Sequence, residues 1–219
     1  MMRVYFKRDE PVRFYGVALP AVRRIARDVW VAHRDWDVRA GIEFCDALIR
    51  RRELEAKCVG VLVLARHRRT FPRSLFVTVR GWLGDGHCAS WAAVDLVAPS
   101  LITPLLARAP LLLRPLAGWT RARSVWVRRA AAVSLIPLAR RGRALDESYR
   151  VAAALFEDDH DLIHKATGWL LREAGKTDMP RLERFLRSRG PRIPRTTLRY
   201  AIERFPERRR KRLLEETRP

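Results

Sequence analysis

Hydrophobic residues recur along most of this chain with the spacing of one helix face, and the strict alternation of a β-strand is nearly absent. The segment RELEAKCVGVLVLARHRR places its apolar side chains on one face, at Leu54, Cys58, Val61, Leu62 and Ala65. The segment LERFLRSRG repeats the pattern and stops at Gly190. We therefore predict an all-α protein.

Prolines mark the beginnings of many of these helices, as in PAVRRIAR, PRLERFL and PERRRKRLL. The helical segments group into about six antiparallel pairs, at 21–34 with 37–51, 53–68 with 73–84, 89–107 with 110–121, 124–141 with 146–157, 160–174 with 180–188, and 194–204 with 206–216. About 30–40 residues per pair is typical of a HEAT-like α-solenoid. We predict such a solenoid, a single domain over residues 1–219 with a concave basic groove; a compact helical bundle is the competing architecture.

The charge balance of the chain indicates what kind of partner it binds. Lys and Arg number 45 against 24 Asp and Glu, so the net charge is +21, and a hydrophobic content of 48% excludes a disordered chain. Such an excess predicts a polyanionic partner, either nucleic acid or an anionic membrane surface. Residues 181–219 hold 14 basic and 5 acidic residues, including RRRKR at 208–212. This run is either a solvated helix end or a contact with phosphate.

Cysteine use and the length of the apolar runs favour nucleic acid over a membrane. Cys45, Cys58 and Cys88 are far apart and form no CxxC pair, which is typical of buried thiols in a reduced compartment. The longest apolar runs, CVGVLVLA and AAAVSLIPLA, are too short to span a bilayer, and no secretory leader opens the chain. We expect a cytoplasmic monomer that binds nucleic acid and no membrane.

Metal and cofactor motifs are scarce. His160 and His164 are spaced i, i+4 in HDLIH, which would suit zinc, but no further His or Cys stands close by. Two polar residues on an exposed helix face is the better interpretation. The phosphate-binding patterns GxGxxG and GxxxxGK[ST] and the nucleophile pattern GxSxG do not occur. We therefore expect no metal and no cofactor.

The stretch SWAAVDLVAP contains one carboxylate, Asp95, in apolar surroundings. It is the only acidic residue between Asp85 and Asp146, whereas nine arginines lie between positions 96 and 145. A carboxylate in such a place either pairs with a cation to join two helices or has a chemical task. Trp91 lies four residues before it, so a helix would present both side chains on one face.

Two further tryptophans lie beside basic residues. Trp126 precedes Arg129 by three residues in SVWVRRAAA, and Trp169 stands in KATGWLLREAGKT among Lys165, Arg172 and Lys176. Trp is a common core residue, so packing is the alternative explanation for each. Aromatic and basic side chains interleaved on helices also suit a nucleic-acid surface.

The chain resembles the AlkD family of HEAT-like DNA glycosylases, which remove alkylated purines. The resemblance extends over YFK at 5–7, FYGVALPAVRRIA at 14–26, ELEAKCVGVLVLA, SWAAVD at 90–95, SVWVRRAA at 125–132 and HKATGWLLREAGKT at 164–177. The last block, with IPRTTLRYAIERF after it, is the most specific. Family members usually carry more sequence before the YFK match, so a first helix is expected to be missing here.

The resemblance implies roles for individual residues. The family's catalytic aspartate falls on Asp95, its two active-site tryptophans on Trp91 and Trp169, and its backbone-contacting arginine on Arg129. Tyr5 falls where the family has an N-terminal aromatic residue near DNA. With neighbouring basic and aromatic positions added, the expected DNA-binding residues are Arg129, Trp126, Tyr5, Arg128, Lys165, Arg172 and Lys176.

The function expected from these residues is that of a monofunctional glycosylase acting on N3- or N7-alkylated purines in double-stranded DNA. The family implies that Asp95 stabilises the oxocarbenium-like sugar and positions water, with the lesion approached from the backbone side. A protein that binds duplex or branched DNA without catalysis is the alternative. A HEAT-type scaffold for protein or RNA is a third possibility.

Overall fold

Every regular element in the described part of the chain is a helix. The structure is a computed structural model that describes residues 12–218. Within these residues no strand occurs, and β-type pairing is limited to an isolated parallel bridge between Arg13 and Glu53. The predicted all-α class is confirmed. The chain divides into two compact units, one ending at Pro110 and the other beginning at Leu111.

The first unit is built around one central helix, α3. Its helices are α1 (Leu19–Ala32), α2 (Val38–Ile49), α3 (Leu54–Leu64), α4 (Leu75–Gly84), α5 (Trp91–Val97) and α6 (Thr103–Arg108). Helix α3 packs against α1, α2 and α5. It therefore buries Val63 and Leu64 as well as Leu54, Cys58 and Val61. The prediction of a single apolar face was wrong here, because a helix with neighbours on several sides needs apolar residues around most of its circumference.

Helix α11 has the central position in the second unit. The helices of this unit are α7 (Leu113–Gly118), α8 (Val125–Val133), α9 (Ile136–Ala139), α10 (Leu145–Ala154), α11 (Asp161–Gly175), α12 (Met179–Arg189), α13 (Arg195–Ala201) and α14 (Glu207–Glu216). Helix α11 packs against α8, α9, α10, α12 and α13. Its buried side contains Ile163, Leu170 and Leu171, each with no exposed surface.

The observed helices fall close to the predicted segments, with two interruptions. The segment 124–141 is divided into α8 and α9, and 89–107 is divided by a π-helical turn at Ala98–Ile102. The predicted solenoid of six antiparallel pairs and the single domain over 1–219 stay predictions. Cys45, Cys58 and Cys88 are free and buried, as expected.

One helical stretch in the described residues, Trp91–Arg108, is long and apolar enough to cross a membrane by length and composition. Half of this stretch is buried inside the protein, as in the core helix of a globular protein. The expected absence of a membrane partner stays a prediction.

Candidate functional site

Helix α5 presents Trp91 and Asp95 on one side. Ser90 precedes the helix, and its Oγ accepts a hydrogen bond from the backbone N–H of Ala93 at 3.2 Å, which fixes the first turn. The opposite side of α5 contains Ala93 and Val94, both buried. Trp91 and Asp95 are half-buried, so each exposes part of its side chain while its helix is held by the core.

A proline interrupts the helix directly after Asp95. Pro99 has no N–H, so it cannot form the α-helical hydrogen bond to the carbonyl of Asp95, four residues earlier. The chain forms a π-helical turn at Ala98–Ile102 instead, and α6 begins directly after it. Such turns often occur at functional sites because they reorient the residues around them. The carboxylate of Asp95 therefore stands at the end of the regular part of α5.

Asp95 is engaged in an interaction within the protein, and so is Trp91. The catalytic role implied for Asp95 therefore does not rest on the absence of an internal contact, and it stays a prediction. The side chain of Asp95 is partly exposed on α5. Tyr5, the other aromatic residue expected in the first unit, lies outside the described residues.

In the second unit, Arg129 is a packing residue of α8. Only 5% of its surface is exposed, and its Nη1 donates to the carbonyl of Leu162 in the first turn of α11 at 2.6 Å. The guanidinium thus connects α8 to α11. Little of the side chain is open to a phosphate in this conformation, and the role in contacting DNA implied for Arg129 stays a prediction.

Arg128 is also committed to internal contacts. Its Nε donates to Asp158 at 2.5 Å, and its Nη1 donates to the carbonyls of Ala122 and Arg123, both at 2.9 Å. It lines a shallow cavity of about 470 Å³ together with Glu157, Asp158, Asp159 and His160. Three acidic side chains would repel a phosphate there. Arg128 therefore forms a structural ion pair, and the DNA contact expected of it stays a prediction.

Helix α11 carries a stripe of basic and aromatic residues on the side away from its buried face: Lys165, Trp169, Arg172 and Lys176. Trp169 and Arg172 are half-buried, with a basic residue one turn to either side of the tryptophan. Each cation of the stripe has a carboxylate partner. Lys165 pairs with Asp161 at 2.7 Å, Arg172 pairs with Glu203, and Lys176 pairs with Glu173.

Glu173 is the buried anchor of this stripe. Its side chain is 2% exposed and accepts hydrogen bonds from Arg140 at 2.8 Å and from Lys176 at 2.8 and 2.9 Å. Burial raises the pKa of this carboxyl, but the hydrogen bonds from Lys176 and Arg140 outweigh burial and leave the pKa below its ordinary value. Glu173 therefore fixes two cations at the surface of α11.

A glycine next to Trp169 determines how α11 packs. A Cβ on Gly168 would lie 2.4 Å from the Cβ of Tyr200 and 2.7 Å from the carbonyl of Thr197, both in α13. The Thr197 hydroxyl donates to the carbonyl of His164 at 3.1 Å across the same contact. Gly168 thus permits the close approach of α11 and α13, which explains the glycine within KATGWLLREAGKT.

The two histidines considered for zinc have structural roles. His160 Nδ1 accepts from the N–H of Leu162 at 3.1 Å and caps α11, and His164 Nε2 contacts the carbonyl of Asp158. The described residues contain no group of three His, Cys, Asp or Glu side chains placed to hold a metal ion.

The first unit contains a basic cavity that was not predicted from the sequence. It has a volume of about 550 Å³ and lies where α2 ends and where α3 and α5 begin. Its charged lining consists of Arg13, Arg50, Arg51, Arg52 and Lys57, with His87 beside them. Ser90, directly before Trp91, also lines it. The run of three arginines at 50–52 between two helical patterns was the available signal.

The described residues form only helices, and the net charge of the chain, +21, is typical of a protein that binds nucleic acid. The family model of the DNA alkylation repair enzymes matches residues 1–205, and the chain belongs to this family. Its fold is similar to that of a solved structure described as a predicted DNA alkylation repair enzyme from Enterococcus faecalis. The TM-score is 0.81 at 17% identity, over 94% of this chain and 93% of that one. Comparison with curated proteins gives no match.

Proposed function

We propose that this protein is a DNA glycosylase that hydrolyses the N-glycosidic bond of purines alkylated at N3 or N7. Membership of the DNA alkylation repair family indicates a role in the repair of alkylated DNA. The observation that carries the finer proposal is the placement of Trp91 and Asp95 on the accessible side of α5, just before the turn at Pro99.

The chemistry needs few protein groups. A purine alkylated at N7 or N3 is cationic, so it departs with the electron pair of the bond to C1′ and needs no general acid. Water then adds to C1′ of the oxocarbenium-like sugar, and its proton passes to the Asp95 carboxylate and on to solvent. The negative charge of Asp95 stabilises the sugar cation, as paired carboxylates do in glycoside hydrolysis. The face of Trp91 would favour the same cation by about 0.5–2 kcal/mol.

The resemblance to the AlkD family assigns a matching role to Trp169, and the basic stripe around it would contact double-stranded DNA. Arg129 supports this surface by positioning α11 through Leu162. Non-catalytic binding of duplex or branched DNA is the second candidate. The net charge of +21 favours it, because cationic side chains neutralise DNA phosphates whether or not catalysis follows. Such binding needs no carboxylate at position 95.

The test is incubation of the protein with a duplex that contains a single 7-methylguanine. The proposal expects free 7-methylguanine and an abasic site in equal amounts, and no release from the unmodified duplex. Tight binding of both duplexes without release of base would contradict the glycosylase proposal and support the second candidate.

A further inference from the structure

Among the described residues, the lining of the basic cavity in the first unit contains several cationic side chains and no carboxylate. Arg50 is partly neutralised, because it donates to Asp46 at 2.8 and 3.0 Å. Arg13, Arg51 and Arg52 form no ion pair with a described residue, and all three are exposed. Clustered like charges repel one another unless an anion joins them.

Internal contacts hold one wall of the cavity in place. Arg13 lies on an extended segment whose carbonyl accepts from the N–H of Leu54 at 2.9 Å. Just beyond it, the buried carboxylate of Glu55 accepts from the N–H groups of Tyr15, Gly16 and Val17 at 3.0–3.2 Å. This segment therefore cannot move away from α3 without leaving the carboxylate of Glu55 buried and unsatisfied, which is costly.

Lys57 holds the opposite wall. Its ammonium donates to the carbonyl of Ile49 at 2.6 Å and to the carbonyl of Arg51. A cation at the C-terminus of α2 also suits the negative end of the helix dipole. The backbone that carries Arg51 and Arg52 is therefore fixed, whereas their guanidinium groups stay available.

We propose that this cavity binds a phosphate group, and that in the DNA complex the occupant is a backbone phosphodiester next to the nucleotide at Asp95. Guanidinium groups bind phosphate through paired, charge-assisted hydrogen bonds. Ser90 lines the cavity and Asp95 is five residues further along the helix, about 7.5 Å by helical rise. The assignment of the phosphate to DNA rests on the proposed function; the binding of phosphate does not.

The first test compares the melting temperatures of three proteins in inorganic phosphate and in chloride at equal ionic strength. They are the wild type, the double variant Arg51→Gln/Arg52→Gln, and the control Arg68→Gln/Arg69→Gln. The control pair is exposed and follows the end of α3. Because α3 begins at the cavity and is about 16 Å long, the control pair lies away from the cavity. The wild type and the control should show a saturable rise in phosphate, and the cavity variant should lose it. An equal rise in all three proteins would overturn the site.

The second test measures the affinity of the same proteins for duplex DNA against salt concentration. Loss of two phosphate contacts should lower the salt slope by about 2 and weaken binding about tenfold more in the cavity variant than in the control. Equal weakening would overturn the assignment to DNA and leave free phosphate as the ligand. Both readouts are independent of base release, so a protein that binds through the cavity but excises no 7-methylguanine contradicts only the proposed function.

Discussion

The side chain of Asp95 is half-buried on a helix whose other side is anchored in the core. Asp95→Asn preserves the size of the side chain and removes its charge. Because an accessible ion pair contributes about 0–1 kcal/mol, we expect the free energy of unfolding to change by less than about 1 kcal/mol. Duplex affinity should stay equal or rise, because a negative charge near phosphate is removed. Thermal melting and DNA titration of one preparation measure both quantities.

The opposite result has a specific meaning. A loss of about 3–5 kcal/mol would show that Asp95 is half of a buried ion pair that joins helices. Its role would then be structural, and the accessible position of Asp95 on α5 would not reflect chemistry.

Glu173 should behave as the structural counterpart of Asp95. Glu173→Gln removes the buried charge that accepts from Arg140 and Lys176, so we expect a loss of about 1–3 kcal/mol in the free energy of unfolding. The control Glu203→Gln also removes a partner of a stripe cation, Arg172, but Glu203 is 47% exposed. Its loss should be below about 1 kcal/mol. Equal losses in chemical denaturation would contradict the anchoring role of Glu173.

The lowered pKa of Glu173 makes this difference depend on pH. Stabilisation from a carboxyl with a lowered folded-state pKa is present above the ordinary value, here 4.5, and is lost as pH falls through the folded-state pKa. The gap in stability between wild type and Glu173→Gln should therefore be constant near neutral pH and shrink below about pH 4.5. A gap unchanged down to pH 2 would contradict the ionised, paired state.

The packing of α11 against α13 depends on a missing side chain. In Gly168→Ala the new methyl would meet the Cβ of Tyr200 and the backbone of Thr197, neither of which can rotate away. We expect a loss of about 1–3 kcal/mol. Gly81→Ala in α4 is the control, since its added methyl meets nothing within 4 Å, and helix propensity should stabilise it by about 0.5–1 kcal/mol. Equal and small effects in thermal melts would contradict the close contact.

Helical periodicity predicted the elements well but not their interruptions. The segments around α2 and α11 were recognisable because their apolar residues repeat at i, i+3 and i+4. The break between α8 and α9 and the turn at Pro99 were not, because a proline inside an apolar run can kink, bulge or end a helix. Local spacing does not choose between these outcomes; tertiary packing does.

The candidate site was predictable only where its residues are close in sequence. Trp91 and Asp95 share one side of α5 because four residues make about one turn. The ion pairs Arg128–Asp158 and Arg172–Glu203 join residues that are 30 and 31 positions apart in the sequence. Composition could show that cations abound but not which of them are already paired. The exposed cations of the basic cavity were overlooked for the same reason.

The net charge of the whole chain predicts binding to duplex DNA that depends strongly on salt and not on sequence. If about six phosphates are neutralised, affinity should fall about a thousandfold between 50 and 200 mM salt. Fluorescence anisotropy with two unrelated duplexes measures this dependence. A flat salt response would show that the charge serves another purpose.

The proposed glycosylase function of the whole protein is most directly tested by measuring base release in a single turnover. Wild type, Asp95→Asn and the control Asp28→Asn, an exposed aspartate of α1, would each be given in excess over a duplex with one 7-methylguanine. We predict release by the wild type and Asp28→Asn at equal rates, and a rate lower by a factor on the order of 100 or more for folded, DNA-bound Asp95→Asn. Equal release by all three proteins would contradict the catalytic role of Asp95. No release by the wild type would contradict the proposed glycosylase activity.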